Sequence, residues 1–328
     1  MRIETLRQRL ADLGAKPVHV QRMLRAWLHA LPLDAGPTRR GPALPRAVVD
    51  ALPALTAELA GLARVRSEHP GEDGSARLLV ELADGQTVES VLLPRDGLLR
   101  QLTSAEILAQ VVLARARRPV KKVVFMGMGE PAHNMEAVLE TIQLLGDEGG
   151  IGHKNLVFST VGDHRVFERL PGLRVKPALA LSLHTSRAEL RAELLPKAPR
   201  ITPDELVELG EAYARATGYP IQYQWTLIEG LNDTPEELDG IVRLLAGKYA
   251  IMNMIPYNAV PDLPYRRPDW AKAAEIARSL HRRGVLTKLR NSAGQDVDGG
   301  CGQLRARSLK AEAAAEAPLR FEPRRALK

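Results

Sequence analysis

The only cysteine of the chain, Cys301, stands in a glycine-rich segment, Gly299-Gly300-Cys301-Gly302. Flanking glycines favour an exposed loop over a core position, so the thiol could act as a nucleophile or as a carrier of a methyl group. An inert thiol is the alternative, and the sequence weighs the two equally. A single cysteine excludes an internal disulfide framework and an all-cysteine metal site within this chain.

A second candidate site is a glycine-rich turn with a carboxylate. The letters GMGEP at 127–131 come directly after the apolar run VVFM at 123–126. Glycine at 129 would let a ligand approach the backbone closely, and Glu130 could bind an ammonium group or a ribose hydroxyl. Alone the motif is weak, because a turn capped by a glutamate side chain would have the same letters.

Other apolar runs also end in hydrogen-bonding residues. The endings are Ser159-Thr160, Ser182-Leu183-His184 and, after Ile255-Pro256-Tyr257, Asn258. One such ending is ordinary capping, but successive endings at one edge of a sheet indicate a site for a polar ligand. His184 taken alone is more typical of a structural hydrogen-bonding residue than of an acid or base.

The elements that must position these residues alternate between helix and strand from residue 98 onward. The strand-like runs are 121–127, 155–160, 177–184, 221–227, 251–257 and 285–290. Helix starts lie between them, with a capping box of Thr103 and Glu106 and Thr-Pro pairs at 202–203 and 234–235. Nearly continuous apolar strands separated by helices predict a parallel sheet with a covered outer face, as in an α/β barrel or a doubly wound sheet.

The chain divides into four segments by pattern. They are an N-terminal helical accessory domain (1–60), a β-hairpin segment leading into the core (61–97), the α/β core (98–304) and a tail rich in Ala and Arg without an assigned function (305–328). Helical spacing of Leu6, Leu10 and Leu13 supports the first segment. An Asp84-Gly85 turn between two strand-like runs supports the second.

The net charge of +7 and the pI of 9.6 suit a partner with a phosphate backbone, although an arginine-rich solvated surface has the same charge. The basic residues of the N-terminal segment that could contact RNA, or simply form an exposed face, are Arg22, Arg25, Arg39 and Arg40. Aromatic content of 4% argues against a base-stacking platform. With no signal region and no apolar run long enough for a bilayer, a cytoplasmic monomer without membrane contact is expected.

Between about Thr87 and Leu304, the GMGEP, ST, SLH, IPYN and CGQL motifs occur in one order. In this the chain resembles the dual-specificity family of radical S-adenosylmethionine (SAM) methyltransferases, which modify adenosine at carbon 2 or 8 of 23S ribosomal RNA and, in some members, transfer RNA. The resemblance implies a partial (β/α)6 barrel, a 4Fe-4S cluster and an electron donor. It also implies SAM contacts at Gly129, Glu130, Ser159, Ser182, Leu183, His184 and Asn258.

The resemblance further implies two catalytic residues. Cys301 would be the cysteine that is methylated and then carries the methylene to the substrate, and Glu89 would accept the substrate proton. Such a route is needed because carbons 2 and 8 of adenine have neither an acidic proton nor a lone pair. In the family the radical comes from reductive cleavage of SAM by the cluster.

The chain departs from the family pattern at the cluster. Members carry CxxxCxxC in a loop after the first barrel strand and a further cysteine upstream, whereas here Gly97 runs directly into Leu98 and none of those cysteines is present. Because the sequence matches on both sides, we interpret this as one deletion of the first strand and its loop. We expect no cluster, no radical activity and an exposed edge on the neighbouring strand.

Three hypotheses follow. The first is a family methyltransferase that carries a deletion, and the second is a non-catalytic RNA-binding relative. Glu89 and Cys301 favour the first, because a protein that only binds RNA has no use for either. The third is an unrelated α/β-barrel enzyme that uses Glu130 or His184 as acid or base, and the ordered motifs disfavour it.

Overall fold

The computed structural model describes residues 2–35, 42–70, 76–92, 102–126, 130–258 and 264–290. Its first elements are the helices α1 (Ile3–Asp12), α2 (Pro17–Leu28) and α3 (Arg46–Gly61). Of the residues whose spacing predicted this helix, Leu6 and Leu10 are buried and Leu13 is partly buried, and Ile3 is buried beside them. No helix in the described ranges combines the length and apolarity needed to cross a bilayer.

An antiparallel sheet of three strands follows, in the order β1 (Ala63–Pro70), β2 (Ala76–Leu82) and β3 (Thr87–Leu92). The predicted hairpin joins β2 to β3, and Gly85 takes a φ of +79° in its turn. Strand β1 was not predicted. Its sequence ARVRSEHP alternates between partly buried and exposed positions with mostly polar letters, so it lacks the apolar period on which the prediction relied.

The core is a parallel sheet whose strands follow chain order. The strands are β4 (Val123–Phe125), β5 (Leu156–Thr160), β6 (Ala178–Ser182), β7 (Ile221–Leu227), β8 (Ala250–Pro256) and β9 (Thr287–Leu289). All six predicted runs are strands, which confirms the α/β fold class. Among the described residues the sheet is open, as expected of a partial barrel, and β4 lies at one edge. The strand that we infer to be deleted from the sequence would lie beside β4.

Helices connect these strands. They are α4 (Ser104–Arg115), α5 (Met135–Asp147), α6 (His164–Arg169), α7 (Ala188–Leu194), α8 (Pro203–Thr217), α9 (Pro235–Leu245) and α10 (Trp270–Arg282), with short 3₁₀ turns at Pro131–Asn134, His153–Asn155 and Leu170–Gly172. The predicted capping box at the start of α4 is present, and Thr202 and Thr234 cap α8 and α9. These caps satisfy backbone donors that the first helical turn leaves free.

The N-terminal helices are joined to the core by a polar contact that we call the N-terminal junction. Arg115 of α4 donates to the carbonyl oxygens of Leu28 and Gly149, each at 2.7 Å. Beside it, the carboxylate of Glu148 accepts from Gln21 Nε2 at 2.8 Å and from Arg25 at 3.0 Å. The members of the junction are Gln21, Arg25, Leu28, Arg115, Glu148 and Gly149.

Candidate functional site

The predicted ligand residues lie where parallel strands end. Glu130 follows β4, Ser159 lies in the last two residues of β5, and Ser182 ends β6 and is followed by Leu183 and His184. Asn258 comes two residues after β8. Because parallel strands share one carboxyl edge, the fold places these residues along that edge, which is the ligand-binding edge of α/β sheets.

Glu130 connects the end of β4 to the end of β5. Its Oε1 accepts from the Ala132 amide at 3.0 Å, which caps the 3₁₀ turn at Pro131–Asn134, and its Oε2 accepts from the Val161 amide at 2.8 Å. The capping role considered from the sequence is therefore present. A carboxylate has about four acceptor positions, so this partly buried group can still accept donors from a ligand.

Arg191 of α7 connects β5 to β6. It is only 3% exposed, and its Nη1 donates to the carbonyls of Ser182 at 2.7 Å and Leu183 at 2.8 Å. Its Nη2 donates to the carbonyl of Val161. Burial lowers the pKa of Arg191 to about 10, so the guanidinium group is still charged at neutral pH.

The residues after β6 are fixed by their own backbone. The amides of Leu183 and His184 both donate to the Gln224 carbonyl of β7, at 3.0 and 3.3 Å. His184 has a φ of +62°, in the left-handed region that residues other than glycine rarely occupy. Asn232 Nδ2 donates to the carbonyls of His184 at 2.7 Å and Thr226 at 2.8 Å, which holds this conformation in place.

The imidazole of His184 is a neutral hydrogen-bonding group. Its Nδ1 accepts from the Thr226 amide at 3.0 Å, which assigns the proton to Nε2. Burial, and then the charge of Arg191, lower its pKa to about 4. At neutral pH the ring therefore offers one N–H donor, and it is a poor general base. This agrees with the structural role that is typical of a lone histidine.

These contacts form a continuous set that we call the carboxyl-edge network. Its members are Glu130, Val161, Ser182, Leu183, His184, Arg191, Gln224, Thr226 and Asn232. Four of the predicted SAM residues belong to it. Their relative positions are therefore fixed by hydrogen bonds that cross from β4 to β7.

A buried glutamate anchors the loop that follows the network. Glu237 of α9 accepts from the Thr185 hydroxyl at 2.5 Å, from the Ser186 amide and hydroxyl at 2.7 Å each, and from Arg187 at 3.0 Å. Burial acts to raise the pKa of Glu237, but the hydrogen bonds from Ser186 and Thr185 outweigh it and hold the pKa below its usual value. The carboxylate is therefore ionised at neutral pH.

The remaining predicted residues differ in their surroundings. The hydroxyls of Ser159 and Ser182 form no hydrogen bond among the described residues, so both can take a ligand. Asn258 Oδ1 accepts from Arg267 at 3.0 Å and has no described hydrogen bond to the carboxyl-edge network. Gly129, Cys301 and the side chain of Glu89 lie outside the described residues, although the backbone of Glu89 pairs with Leu79.

Three residues of this region were not predicted: Arg191, Asn232 and Glu237. Each acts across a long sequence separation, 30 residues from Arg191 to Val161, 48 from Asn232 to His184 and 52 from Glu237 to Thr185. No local pattern signals such partners. The Thr-Pro-Glu-Glu letters at 234–237 include Glu237, but they predict only the start of a helix and not a hydrogen bond to a distant loop.

The residues do not fit a 4Fe-4S cluster. Such clusters are held by several thiolates, and the chain has one cysteine. Among the described residues there is also no group of three or more His, Cys, Asp or Glu side chains that could hold a metal ion. SAM is different, because the free hydroxyls, the unused acceptor positions of Glu130 and the His184 N–H donor suit its polar groups.

Comparisons with known proteins identify the family. No family model matches the chain. A "Probable RNA methyltransferase" of Leptothrix cholodnii is 69% identical over 331 residues, covering 94% of this chain and 95% of the relative. A relative of the same description from Azoarcus is 70% identical over 332 residues, covering 94% and 96%. These relatives match along nearly their whole length.

A solved structure agrees with them. The crystal structure of a radical SAM methyltransferase from Sphaerobacter thermophilus superposes with a TM-score of 0.76 at 27% identity, covering 92% of this chain and 97% of that one. The alignment with the Leptothrix relative also contains positions at which this chain has no residue. It spans 331 positions, but 94% of 328 residues is only about 308, so about 23 positions of the alignment are gaps in this chain. The chain belongs to the radical SAM RNA methyltransferase family, whose cofactors are SAM and a 4Fe-4S cluster.

Proposed function

We propose that this chain binds SAM at its carboxyl edge and descends from an enzyme that methylates adenosine in RNA, and that it lacks radical activity as it stands. The substrate we propose is 23S ribosomal RNA, with transfer RNA as the second candidate. The methylated atom would be carbon 2 or carbon 8 of an adenosine. The observation that carries the proposal is the carboxyl-edge network, which joins Glu130 to Ser182, Leu183 and His184.

The chemistry of these groups suits SAM. Its amino acid part has an ammonium group that the free acceptor positions of Glu130 can bind, and its ribose has hydroxyls that the same carboxylate or the Ser159 and Ser182 hydroxyls can bind. The neutral ring of His184 adds an N–H donor without adding a second positive charge next to a cationic sulfonium. We assign Gly129 and Asn258 to this ligand as well, by their positions in the family motifs.

Two further residues are proposed for the chemistry that the family performs on RNA. Cys301 would carry the methyl group and Glu89 would accept the substrate proton, in a general-base role. Both are present in this chain, although neither serves a protein that only binds RNA. Their presence supports descent from a methyltransferase over a non-catalytic origin.

The lack of activity follows from the thiol count. One cysteine cannot provide the thiolate ligands of the cluster, and without it the chain has no source of the electron that SAM cleavage requires. The shortfall of about 23 aligned positions supports an internal deletion, which we place between Gly97 and Leu98. The position of β4 at the edge of the sheet agrees with loss of a neighbouring strand.

The proposal can be tested by anaerobic reconstitution of the full chain with iron and sulfide. We expect no 4Fe-4S signal in visible or electron paramagnetic resonance spectra, no methylation of a 23S rRNA fragment, and a saturable heat of SAM binding in calorimetry. A cluster signal would contradict the lack of activity. A flat SAM titration would contradict the assignment of the ligand.

Restoring the missing segment tests the origin of the defect. The corresponding segment of the Leptothrix relative is inserted between Gly97 and Leu98, and we expect cluster formation and, with a reductant, methylation of the rRNA fragment. The matched control is the same insertion with its cysteines replaced by alanine, which should leave both absent. An insertion that folds and binds a cluster but methylates no RNA would contradict the proposed reaction.

The second candidate function is RNA binding without catalysis, which the net charge of +7 favours. For this function we expect the unmodified chain, as a monomer, to bind the rRNA fragment with an affinity that falls steeply with salt concentration. Substitution of Cys301 by alanine separates the two candidates. It should abolish methylation by the restored chain and leave RNA binding unchanged.

A further inference from the structure

We propose that Arg191 is a positioning residue of the SAM site, because its guanidinium group holds the ends of β5 and β6 at the spacing that the ligand requires. This deepens the proposed function and rests on it, since it assumes that SAM binds at the carboxyl edge. Arg191 is not one of the residues that the family motifs assign to SAM. Its role is inferred from its contacts in this structure.

The first observation is the geometry of the guanidinium group. Its two terminal nitrogens donate to three backbone carbonyls, those of Ser182 at the end of β6, Leu183 directly after it and Val161 after β5. A planar group with its donors in a rigid fork sets the distance and the direction of each carbonyl it binds. Arg191 therefore fixes one strand end relative to the other.

The second observation is which strand ends it binds. The amide of Val161 donates to Glu130, so the peptide that follows β5 lies between Arg191 and that carboxylate. Ser182 and Leu183 are themselves proposed SAM residues, and His184 follows directly. A shift of this one guanidinium group would therefore displace proposed ligand groups on both strands.

The third observation is the charge. Among the described residues Arg191 has no carboxylate partner, and its buried Nε has no hydrogen-bond partner. Arg187, four residues earlier, pairs with Glu237 at 3.0 Å. An apolar side chain of similar size could fill the same space, but it would leave the three carbonyls without these donors. Packing alone therefore does not explain an arginine here, whereas three carbonyls that must be held together do.

The turn after β5 leaves room for this arrangement. Gly162 has a φ of +102°, and a Cβ at this position would lie 2.7 Å from a methyl carbon of Leu206 and 3.7 Å from Nη2 of Arg191. A larger residue would strain the backbone and push the turn away from its neighbours. Glycine here lets the Val161 carbonyl turn toward the guanidinium group.

The test is SAM binding by calorimetry to full-length variants. We expect Arg191→Met to weaken SAM binding by about tenfold or more, as supporting contacts of a ligand site commonly do. Arg191→Lys keeps the charge, but a single ammonium group cannot span three carbonyls, so we expect an intermediate loss. Arg115→Met is the matched control, because it removes another guanidinium group that donates to two carbonyls, at the N-terminal junction. It should lower the Tm and leave SAM affinity within twofold.

A second measurement does not depend on SAM. In the imidazole NMR spectrum, the resonance of His184, identified by its loss in His184→Gln, should titrate at a higher pH in Arg191→Met, because a neighbouring positive charge is removed. A general loss of stability would not move this titration in a folded variant. Arg115→Met should leave it unchanged.

The outcomes separate the two proposals. If the wild-type chain binds SAM and folded Arg191→Met binds it with the same affinity, the role of Arg191 is overturned while the proposed ligand stands. No SAM binding by the wild-type chain would overturn the proposed ligand and, with it, this inference. If Arg191→Met does not fold, Arg191→Lys decides, and a wild-type affinity in that variant would show that the fork is not needed.

Discussion

Arg115 and Arg191 use the same chemistry in two regions of the molecule. Each guanidinium group donates to backbone carbonyls from different elements, Leu28 and Gly149 for the first, and Val161, Ser182 and Leu183 for the second. At the N-terminal junction this contact joins the helical segment to the core. In the carboxyl-edge network it orders the ends of strands that carry the proposed ligand groups.

The two regions differ in whether their polar side chains have hydrogen-bond partners. At the junction, the Glu148 carboxylate accepts from Gln21 and Arg25, a closed arrangement that holds two parts of the chain together. At the carboxyl edge, the hydroxyls of Ser159 and Ser182 have no described partner. Polar groups that are firmly placed yet unsatisfied are typical of a binding site, whereas satisfied groups are typical of a scaffold.

The largest loss of stability is expected at the carboxyl edge, from a change at Glu237, which anchors the loop beside the carboxyl-edge network. Glu237→Ala removes an acceptor shared by Thr185, Ser186 and Arg187, and should lower the free energy of unfolding by about 3–5 kcal/mol. Urea denaturation measures this loss of unfolding free energy. The control is the exposed neighbour Glu236→Ala, which should lose much less stability. Equal losses would show that the anchor does not stabilise this edge.

The next largest effect is a dependence of the free energy of unfolding on pH, caused by His184. Its folded pKa of about 4 lies below the ordinary 6.5, so the unfolded chain binds more protons between these values and stability falls as pH drops from 6.5 to 4. This group should contribute up to about 3 kcal/mol to that fall. The comparison is His184→Gln, whose free energy of unfolding should vary less with pH over the same range. If the free energies of unfolding of the two proteins varied in parallel with pH, the neutral state of this partly buried ring would be contradicted.

A smaller effect is expected at the N-terminal junction. Glu148→Gln removes the charge that Arg25 binds and should lower the free energy of unfolding by about 1–2 kcal/mol, with SAM affinity unchanged. Chemical denaturation and calorimetry measure the two quantities. Glu168→Gln, at an exposed position, is the control for loss of a negative charge. A loss of SAM affinity in Glu148→Gln alone would mean that the two regions are not independent.

The smallest effect concerns Thr103, which caps α4 at the end opposite Arg115. Thr103→Ala removes a side chain that accepts from the Glu106 amide and should cost about 1 kcal/mol of stability. Thermal unfolding is the measurement. Thr103→Ser keeps the hydroxyl and should recover most of the loss, and a serine variant as unstable as the alanine variant would argue against the cap.

Much of the fold could be predicted because its signals are local. Six apolar runs became the six strands of the parallel sheet, and the caps at Thr103, Thr202 and Thr234 lie where their side chains predicted them. Strand β1 was missed since its inward positions, such as Val65 and Ser67, are too few and too mixed to show a period. Its pairing with β2 stabilises it, and a single strand's pattern contains no record of that partner.

The candidate site was predicted in part. The sequence placed Glu130, Ser182 and His184 at strand ends, because polar letters after apolar runs mark the carboxyl edge of a parallel sheet. It did not show that both Glu130 oxygens bind backbone amides, nor that His184 accepts a hydrogen bond through Nδ1. Those partners come from turns and strands elsewhere in the chain.

The amino-acid sequence by itself determined the class of the protein and the number of thiols that it offers. Ordered motifs identify the family, and one cysteine is fewer than the several thiolates that hold a 4Fe-4S cluster, a number that no folding of the chain can change. The tertiary structure alone decided which polar groups are satisfied and which are free for a ligand. Contacts such as Arg191 to Val161 and Asn232 to His184 join residues 30 and 48 positions apart, and only packing brings them within hydrogen-bond distance.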